Sequence, residues 1–179
     1  YAEPIFAAFP EARLIHMVRD PRERYAESVP PGRRRRGKLG WDTARWLHSV
    51  GLAARNRRRF PERYLVVRYE ALVAQPEATL RAICAFLDEP FAPAMLAPEG
   101  AGEGPPPTRE ERAAAPIAPG EIAFTQLHAR RELRALGYPL AAPGLTLGQR
   151  LRFCALDWPA NLAGLVAWRT LEATPLARH

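Results

Sequence analysis

Apolar positions along the chain follow two kinds of pattern. Residues 13–18 (RLIHMV) and 64–68 (YLVVR) are short apolar runs bounded by turn residues, which predicts buried parallel strands. Elsewhere the apolar residues recur at helical spacing, as they do over residues 76–87. The order strand, helix, helix, strand, helix predicts an α/β unit with a right-handed crossover. With only two strands, this parallel sheet is incomplete and leaves strand edges and apolar faces uncovered.

Local signals set the helix boundaries. Asp20 is an N-cap residue followed by Pro21 at the first helical position, which predicts a helix that runs to about Ser28. Asp42 is predicted to cap the next helix, and Pro76 to begin a further one.

Three regions follow from these patterns. Residues 1–92 form the predicted α/β part, residues 93–120 a loop rich in proline and glycine, and residues 121–179 a helical C-terminal extension. From about Leu147 the extension offers one or two helices that are interrupted at Pro159.

Composition and charge narrow the class of protein. Apolar residues make up 47% and charged residues 25%, as in a soluble globular protein, and no apolar run approaches the ~20 residues of a membrane span. Cys84 and Cys154 lack metal-ligand spacing and are predicted to be small buried residues, so we expect neither a metal nor a disulfide framework. We therefore expect a cytoplasmic protein. The net charge of +7, carried almost wholly by arginine, indicates either an anionic partner or a GC-rich genome.

The stretch LIHMVRDPRERYAES carries the chemistry. It sets Arg19 at the carboxyl end of a buried strand, the edge where open α/β sheets bind ligands. The planar guanidinium donates paired hydrogen bonds to oxyanions, and Ser28 on the following helix could add another donor. Arg19 could equally pair with Asp20 or Glu23 and only anchor the turn, so the residues alone leave both interpretations open.

This stretch and the later YLVVRYEALVAQPEATLRAICAFLDEPF together resemble the PAPS-dependent sulfotransferase family of bacterial type, where PAPS is 3′-phosphoadenosine 5′-phosphosulfate. The resemblance covers about residues 4–92, and LGY at 136–138 also looks like the end of many bacterial members. It implies a P-loop-NTPase-like parallel sheet with flanking helices, of which this chain has about two strands, and a helical tail. The family's N-terminal Gly/Ser/Thr-rich loop for the 5′-phosphosulfate has no counterpart here, and Tyr1 in place of Met agrees with a truncated or processed start.

The resemblance also implies roles for individual residues, with PAPS as co-substrate and no metal. Arg19 would bind the 3′-phosphate, and Tyr69 would lie near the adenine. The family serine stands eight residues after the arginine, a position that Glu27 holds here, while Ser28 stands at nine. One residue turns a helical side chain by roughly 100°. Either a bulge brings Ser28 to the phosphate or the contact is lost, and we expect the bulge.

The implied reaction transfers a sulfonyl group from PAPS to a hydroxyl or amine of a small-molecule or glycan acceptor. No residue stands where the family carries its catalytic base. His16 and His48 are predicted to be core histidines, whereas His128 and His179 are predicted to lie on the surface. We therefore expect this chain to supply nucleotide recognition, with the catalytic residue unknown, and these 179 residues alone to be inactive.

Two other functions compete with this one. Arg33–Arg36 and Arg57–Arg59 would suit a nucleic-acid backbone, but no nucleic-acid-binding motif accompanies these runs, so we do not expect nucleic acid to be a partner. The uncovered strand edges favour a non-catalytic interaction module or a remnant of the family, which could form a homo-oligomer.

Overall fold

The computed structural model describes residues 2–29, 33–97 and 117–173. These residues fall into two compact units: the first unit lies within residues 1–19 and 51–111, and the second within 20–50 and 112–179. Most of the predicted proline- and glycine-rich loop, residues 98–116, lies outside the described residues.

The helices and strands occur in the predicted order, with additions. In chain order they are α1 (Ala2–Ala8), β1 (Leu14–Val18), α2 (Pro21–Ser28), α3 (Lys38–Arg59), β2 (Tyr64–Arg68), α4 (Tyr69–Ala74), α5 (Pro76–Leu87), α6 (Pro119–Ala135), α7 (Leu147–Arg152) and α8 (Trp158–Ala173). A short 3₁₀ turn spans Pro93–Leu96, and a π-helical segment, Phe153–Asp157, joins α7 to α8. The protein is therefore a mixed α/β chain that is mostly helical.

The sheet of the first unit consists of β1 and β2 in parallel. Leu14 pairs with Tyr64 and Val18 with Arg68, so the two strands lie side by side over their full length and start and finish at the same level. The predicted parallel pair is confirmed. A P-loop-like architecture stays a prediction, because two strands do not define a larger sheet.

A small apolar cluster packs the first unit. Ala2 and Phe6 of α1 meet Ala53 of α3 and Tyr64 of β2, and all four side chains are buried. The ring of Phe6 also lies edge-on to Phe60, with centroids 4.7 Å apart. Burial of these side chains is what attaches the short helix α1, since a helix of seven residues has little stability of its own.

The core of the second unit joins four helices. Its buried members come from α2, α3, α6 and α8 and from the residue after α2: Tyr25, Val29, Leu39, Ala44, Phe124 and Leu165. Phe124 is fully buried at its centre. Two glycines allow close backbone approach to α8: Gly40 of α3 lies against the backbone of Asn161, and Gly164 lies against the carbonyl of Gly37, just before α3.

Two boundary predictions were wrong. Helix α3 begins at Lys38, so Asp42 lies inside its first turns and accepts a hydrogen bond from the ammonium of Lys38 at 2.9 Å instead of capping the helix. In the tail, the interruption comes before Pro159 rather than at it. Pro159 is the second residue of α8, and the change in helical hydrogen bonding falls in the π-helical segment that directly precedes α8.

The prediction that both cysteines are buried is only half right. Cys84 is buried on α5, whereas Cys154 is exposed within the π-helical segment. Both are free thiols.

Tyr25 provides a test of the second unit's core. Its side chain is buried, and burial, together with the charge of Glu121, raises the pKa of its phenol to about 12. Because the folded-state pKa lies above the unfolded value of about 10, the stabilisation is present below pH ~10 and is lost as the pH rises towards ~12. We expect roughly 2–3 kcal/mol of stability to disappear over this window. Urea unfolding of the wild type and of Tyr25→Phe across this pH range would check this, since the variant should lose much less stability.

Candidate functional site

Arg19 and Tyr69 each follow directly after a strand of the parallel pair. The last paired residues are Val18 of β1 and Arg68 of β2, so the next positions come together at the carboxyl edge of the sheet. The guanidinium carbon of Arg19 lies 4.4 Å from the centroid of the Tyr69 ring. Both side chains are half-buried. Arg19 and Tyr69, which the sequence analysis named as site residues, are therefore neighbours in the first unit.

This stacking orients a cation at the sheet edge. A guanidinium over an aromatic face is attracted to the ring, by about 0.5–1 kcal/mol at exposed sites and more when water is excluded. The carboxylate of Glu70, next to Tyr69, is 3.8 Å from the Nε of Arg68. The residues at the ends of the two strands thus include two arginines, Arg19 and Arg68, with the carboxylates of Asp20 and Glu70 beside them in the chain.

Asp20 and Arg22 have structural partners in the second unit. Asp20 caps α2 by accepting the backbone N–H of Arg22 at 2.9 Å, and it also accepts the Nε of Arg22 at 2.9 Å. Arg22 further donates to the side chain of Gln126 at 3.0 Å and to the carbonyl of Pro139 at 2.8 Å. The hydrogen bond to Asp20 raises the pKa of Arg22. Arg22, buried and with three partners, ties α2 to α6 and to the segment that follows α6.

The sequence did not reveal the role of Arg22, although it stands three positions after Arg19 in the same motif. Its distant partners, Gln126 and Pro139, lie more than a hundred residues along the chain, so no local pattern could name them. The nearest available signal was its position just after the N-cap Asp20, from which an arginine can reach back to the capping carboxylate.

Ser28 is the last residue of α2, and both Ser28 and Glu27 are exposed. The hydroxyl of Ser28 donates to the carbonyl of Tyr25 at 3.5 Å. Helix α2 is α-helical throughout, and the N–H of Val29 bonds to the carbonyl of Tyr25 at 3.0 Å in the regular i to i−4 pattern. The expected bulge is therefore wrong. The assignment of Ser28 to the phosphate stays a prediction.

His16 and His48 are half-buried and not the core residues that were predicted, although their contacts are typical of structural histidines. The Nδ1 of His16 lies 2.6 Å from the hydroxyl of Tyr64 on the neighbouring strand, and burial lowers the pKa of His16. His48 meets the ring of Trp168 edge-on at 5.2 Å, and its Nε2 is 3.4 Å from Glu172.

The surface prediction for His128 was wrong. Its ring is half-buried, with its centroid 4.5 Å from that of Phe124. Burial, followed by the charge of Arg169, lowers the pKa of His128, so the neutral form is favoured. His179 lies outside the described residues.

No group of three or more histidine, cysteine, aspartate or glutamate side chains in the described part of the chain could hold a metal ion. No helix there is both long and apolar enough to cross a membrane.

Comparison with known proteins gives one match. The model of the sulfotransferase family matches residues 1–93, just over half of the chain, and this region contains both strands, Arg19 and Tyr69. Neither the curated proteins nor the solved structures gave a significant match. The matched region holds the two segments that carry the resemblance seen in the sequence. This chain therefore belongs to the sulfotransferase family.

Proposed function

We propose that this chain recognises the 3′-phosphate and the adenosine of PAPS in a sulfotransferase reaction. The observation that carries the proposal is the stacked pair at the carboxyl edge of the parallel strands, where the guanidinium of Arg19 lies 4.4 Å from the Tyr69 ring centroid. Ligands of open α/β sheets bind at this edge.

The chemistry of the pair suits a nucleotide with an extra phosphate. The planar fork of Arg19 can donate two parallel hydrogen bonds to a phosphate dianion. Stacking on Tyr69 restricts the guanidinium before the ligand arrives, which reduces the entropy lost on binding. The aromatic ring itself offers an apolar surface of the kind against which a purine can pack.

Ser28 would be a second phosphate donor by the family resemblance. The 3.5 Å separation between its hydroxyl and the carbonyl of Tyr25 is beyond the usual range of a hydroxyl hydrogen bond, so this contact costs little to give up. Glu27, at the position of the family serine, is exposed and can turn into solvent. Its carboxylate would repel a phosphate only if it faced the ligand.

PAPS supplies the sulfonyl group in this reaction. The acceptor oxygen or nitrogen forms a bond to sulfur while the bond from sulfur to the 5′-phosphate oxygen breaks, the acceptor loses a proton, and 3′-phosphoadenosine 5′-phosphate (PAP) leaves. The contribution of this chain is to bind and orient the nucleotide through Arg19 and Tyr69. We assign no catalytic base, and we propose a hydroxyl or an amine of a small molecule or glycan as the acceptor.

A comparison of two nucleotides tests the proposal. We expect PAP to bind at least about tenfold more tightly than 5′-AMP, because one or more charge-assisted hydrogen bonds to the 3′-phosphate are worth ~1.5–3 kcal/mol each. Isothermal titration calorimetry at one fixed salt concentration would measure both affinities. Equal affinities would contradict a 3′-phosphate site, and so would a failure to bind PAP.

One observation favours a second candidate, an interaction module without catalysis. Ile15 and Met17 of β1 remain 39% and 47% exposed, although strands of parallel sheets are normally covered on both faces. Sedimentation of the same sample separates the candidates, since a monomer that binds PAP would exclude the interaction module.

A further inference from the structure

The second unit encloses a cavity that the proposed nucleotide site does not use. Its volume is about 430 Å³, within the range of pockets that hold small molecules. Its walls come from α2, from the residues that lead into α3, and from residues 118–161. The last of these lie beyond the region matched by the family model, so the cavity is lined from both inside and outside the matched region.

The charged residues that line the cavity carry a positive excess. Four of them are arginines, three in the run Arg34–Arg36 and one on α7, Arg152, whereas only Glu121 and Asp157 are acidic. Arg34 pairs with Glu121 at 3.1 Å, and Arg152 lies 3.6 Å from Asp157. Arg35 and Arg36, both exposed, therefore supply two positive charges beyond those that the lining carboxylates balance. An anion is the complementary ligand.

Arg34 anchors this run of arginines. It donates to the carbonyl of Val29 at 3.1 Å and to Glu121 of α6, and its guanidinium lies 5.7 Å from the ring centroid of Tyr25. Glu121 is fixed in turn, because it accepts the backbone N–H of Ala118 at 2.8 Å. The side chain of Arg34 is thus tied to the residue that follows α2 and to α6, which fixes the start of the arginine run beside the cavity.

The rest of the lining includes apolar surface. Tyr25 and Leu39 are buried core residues, and Phe153 packs against the same core from the π-helical segment. A bare inorganic ion would leave this surface in contact with water. A molecule that carries both a charged group and an apolar body would cover it and gain free energy in proportion to the apolar area buried.

We propose that this cavity binds a small organic anion. Its sulfate, phosphate or carboxylate group meets Arg35, Arg36 and Arg152, and its apolar body lies against Leu39 and Phe153. The inference goes beyond the nucleotide site, because it uses neither Arg19 nor Tyr69.

Phenyl phosphate is a suitable probe, and tryptophan fluorescence is a suitable readout. All four tryptophans of the chain, Trp41, Trp46, Trp158 and Trp168, lie in the second unit. Trp158 packs against the core that also forms part of the cavity wall. We expect phenyl phosphate to change the emission in a saturable way and to bind at least about tenfold more tightly than benzyl alcohol, which lacks the charge. We also expect it to bind more tightly than inorganic phosphate, which lacks the ring.

The variant Arg35→Ala/Arg36→Ala should weaken phenyl phosphate binding at least about tenfold. Its matched control is Arg57→Ala/Arg58→Ala, which removes the same charge from exposed positions on α3 that do not line the cavity, and which should leave the affinity within about twofold. Both pairs are exposed, so both variants should fold, and circular dichroism verifies this. Equal losses in the two variants would show only a general effect of charge and would overturn the proposal.

A further variant locates the anion. Arg35 and Arg36 also border an open groove beside Trp41, whereas Arg152 lines the cavity and not the groove. Arg152→Ala should therefore weaken phenyl phosphate binding several-fold, while Lys38→Ala, which removes a charge from the groove and not from the cavity lining, should not. The proposal is wrong if Arg152→Ala binds as the wild type does, if benzyl alcohol or inorganic phosphate binds as tightly as phenyl phosphate, or if no saturable change occurs.

Discussion

Replacement of Gly40 by alanine is expected to destabilise the second unit by about 3 kcal/mol or more, at the upper end of the cost of overpacking. A Cβ at position 40 would lie 1.7 Å from the carbonyl oxygen of Asn161, a backbone atom that cannot rotate away. Gly40 also sits in the first turn of α3, where backbone N–H groups lack partners within the helix. The side chain of Asn161 accepts this N–H at 3.2 Å, so separating α3 from α8 to admit a methyl group would also break a buried hydrogen bond.

Gly51→Ala is the matched control, because it is the same substitution in the same helix. A Cβ at position 51 would meet nothing within 4 Å. Alanine there should stabilise the helix by roughly 0.5–1 kcal/mol, since glycine loses more backbone entropy in a helix interior. Urea unfolding of Gly40→Ala would be followed by tryptophan fluorescence, which reports on the second unit, and that of Gly51→Ala by circular dichroism. If Gly40→Ala unfolds at the wild-type urea concentration, the close approach of α3 and α8 is wrong.

The elements that could be predicted from the sequence are those with local causes. The strand over Leu14–Val18 was recognisable from a short apolar run next to a turn, and the start of α2 from Asp20 followed by Pro21. A local cause also acts at the end of α6, because Gly137 has a φ of 73°, a conformation that glycine adopts without strain. In each case the physical cause acts within a few residues, so neighbouring positions in the sequence are enough to predict the element.

The errors have causes that lie far along the chain. Asp42 looked like a helix cap, yet α3 begins four residues earlier, where Gly37 and Gly40 pack against residues near Gly164 and Asn161. No signal near Lys38 announces a partner that is more than a hundred residues away. The prediction that Cys154 is buried failed for the same reason. Its exposure depends on how α7 and α8 pack and not on local apolar spacing.

The candidate site divides in the same way. The two short parallel strands β1 and β2 are paired over their full length, so their carboxyl ends lie side by side. This pairing brings Arg19 next to Tyr69, the two residues that the sequence analysis had already named. Arg22 belongs to the same motif but acts in the fold, through Gln126 and Pro139. A short motif such as RDPR therefore combines the arginine that we propose for the phosphate with a structural one, and only the distant contacts of Arg22 reveal its structural role.

Arg19→Ala is expected to lower the affinity for PAP by at least about 100-fold, the largest effect on binding that we predict. The wild-type guanidinium can donate two charge-assisted hydrogen bonds to the 3′-phosphate, each worth ~1.5–3 kcal/mol, and alanine donates none. Arg19→Lys keeps the charge but loses the planar fork, so we expect a smaller loss of about tenfold. Isothermal titration calorimetry with PAP would measure both variants.

Two controls separate this role from general effects of charge and folding. Arg55→Ala removes an equal charge from an exposed position on α3 and should leave the affinity for PAP within about twofold. The Arg19→Ala variant should bind 5′-AMP about as well as the wild type does, because 5′-AMP has no 3′-phosphate. Loss of the contact with Tyr69 costs about 0.5–1 kcal/mol, so the variant should still fold and can be tested. If a folded Arg19→Ala protein retains wild-type affinity for PAP, Arg19 is not part of the phosphate site. If the variant loses as much affinity for 5′-AMP as for PAP, Arg19 contacts the nucleotide elsewhere than at its 3′-phosphate.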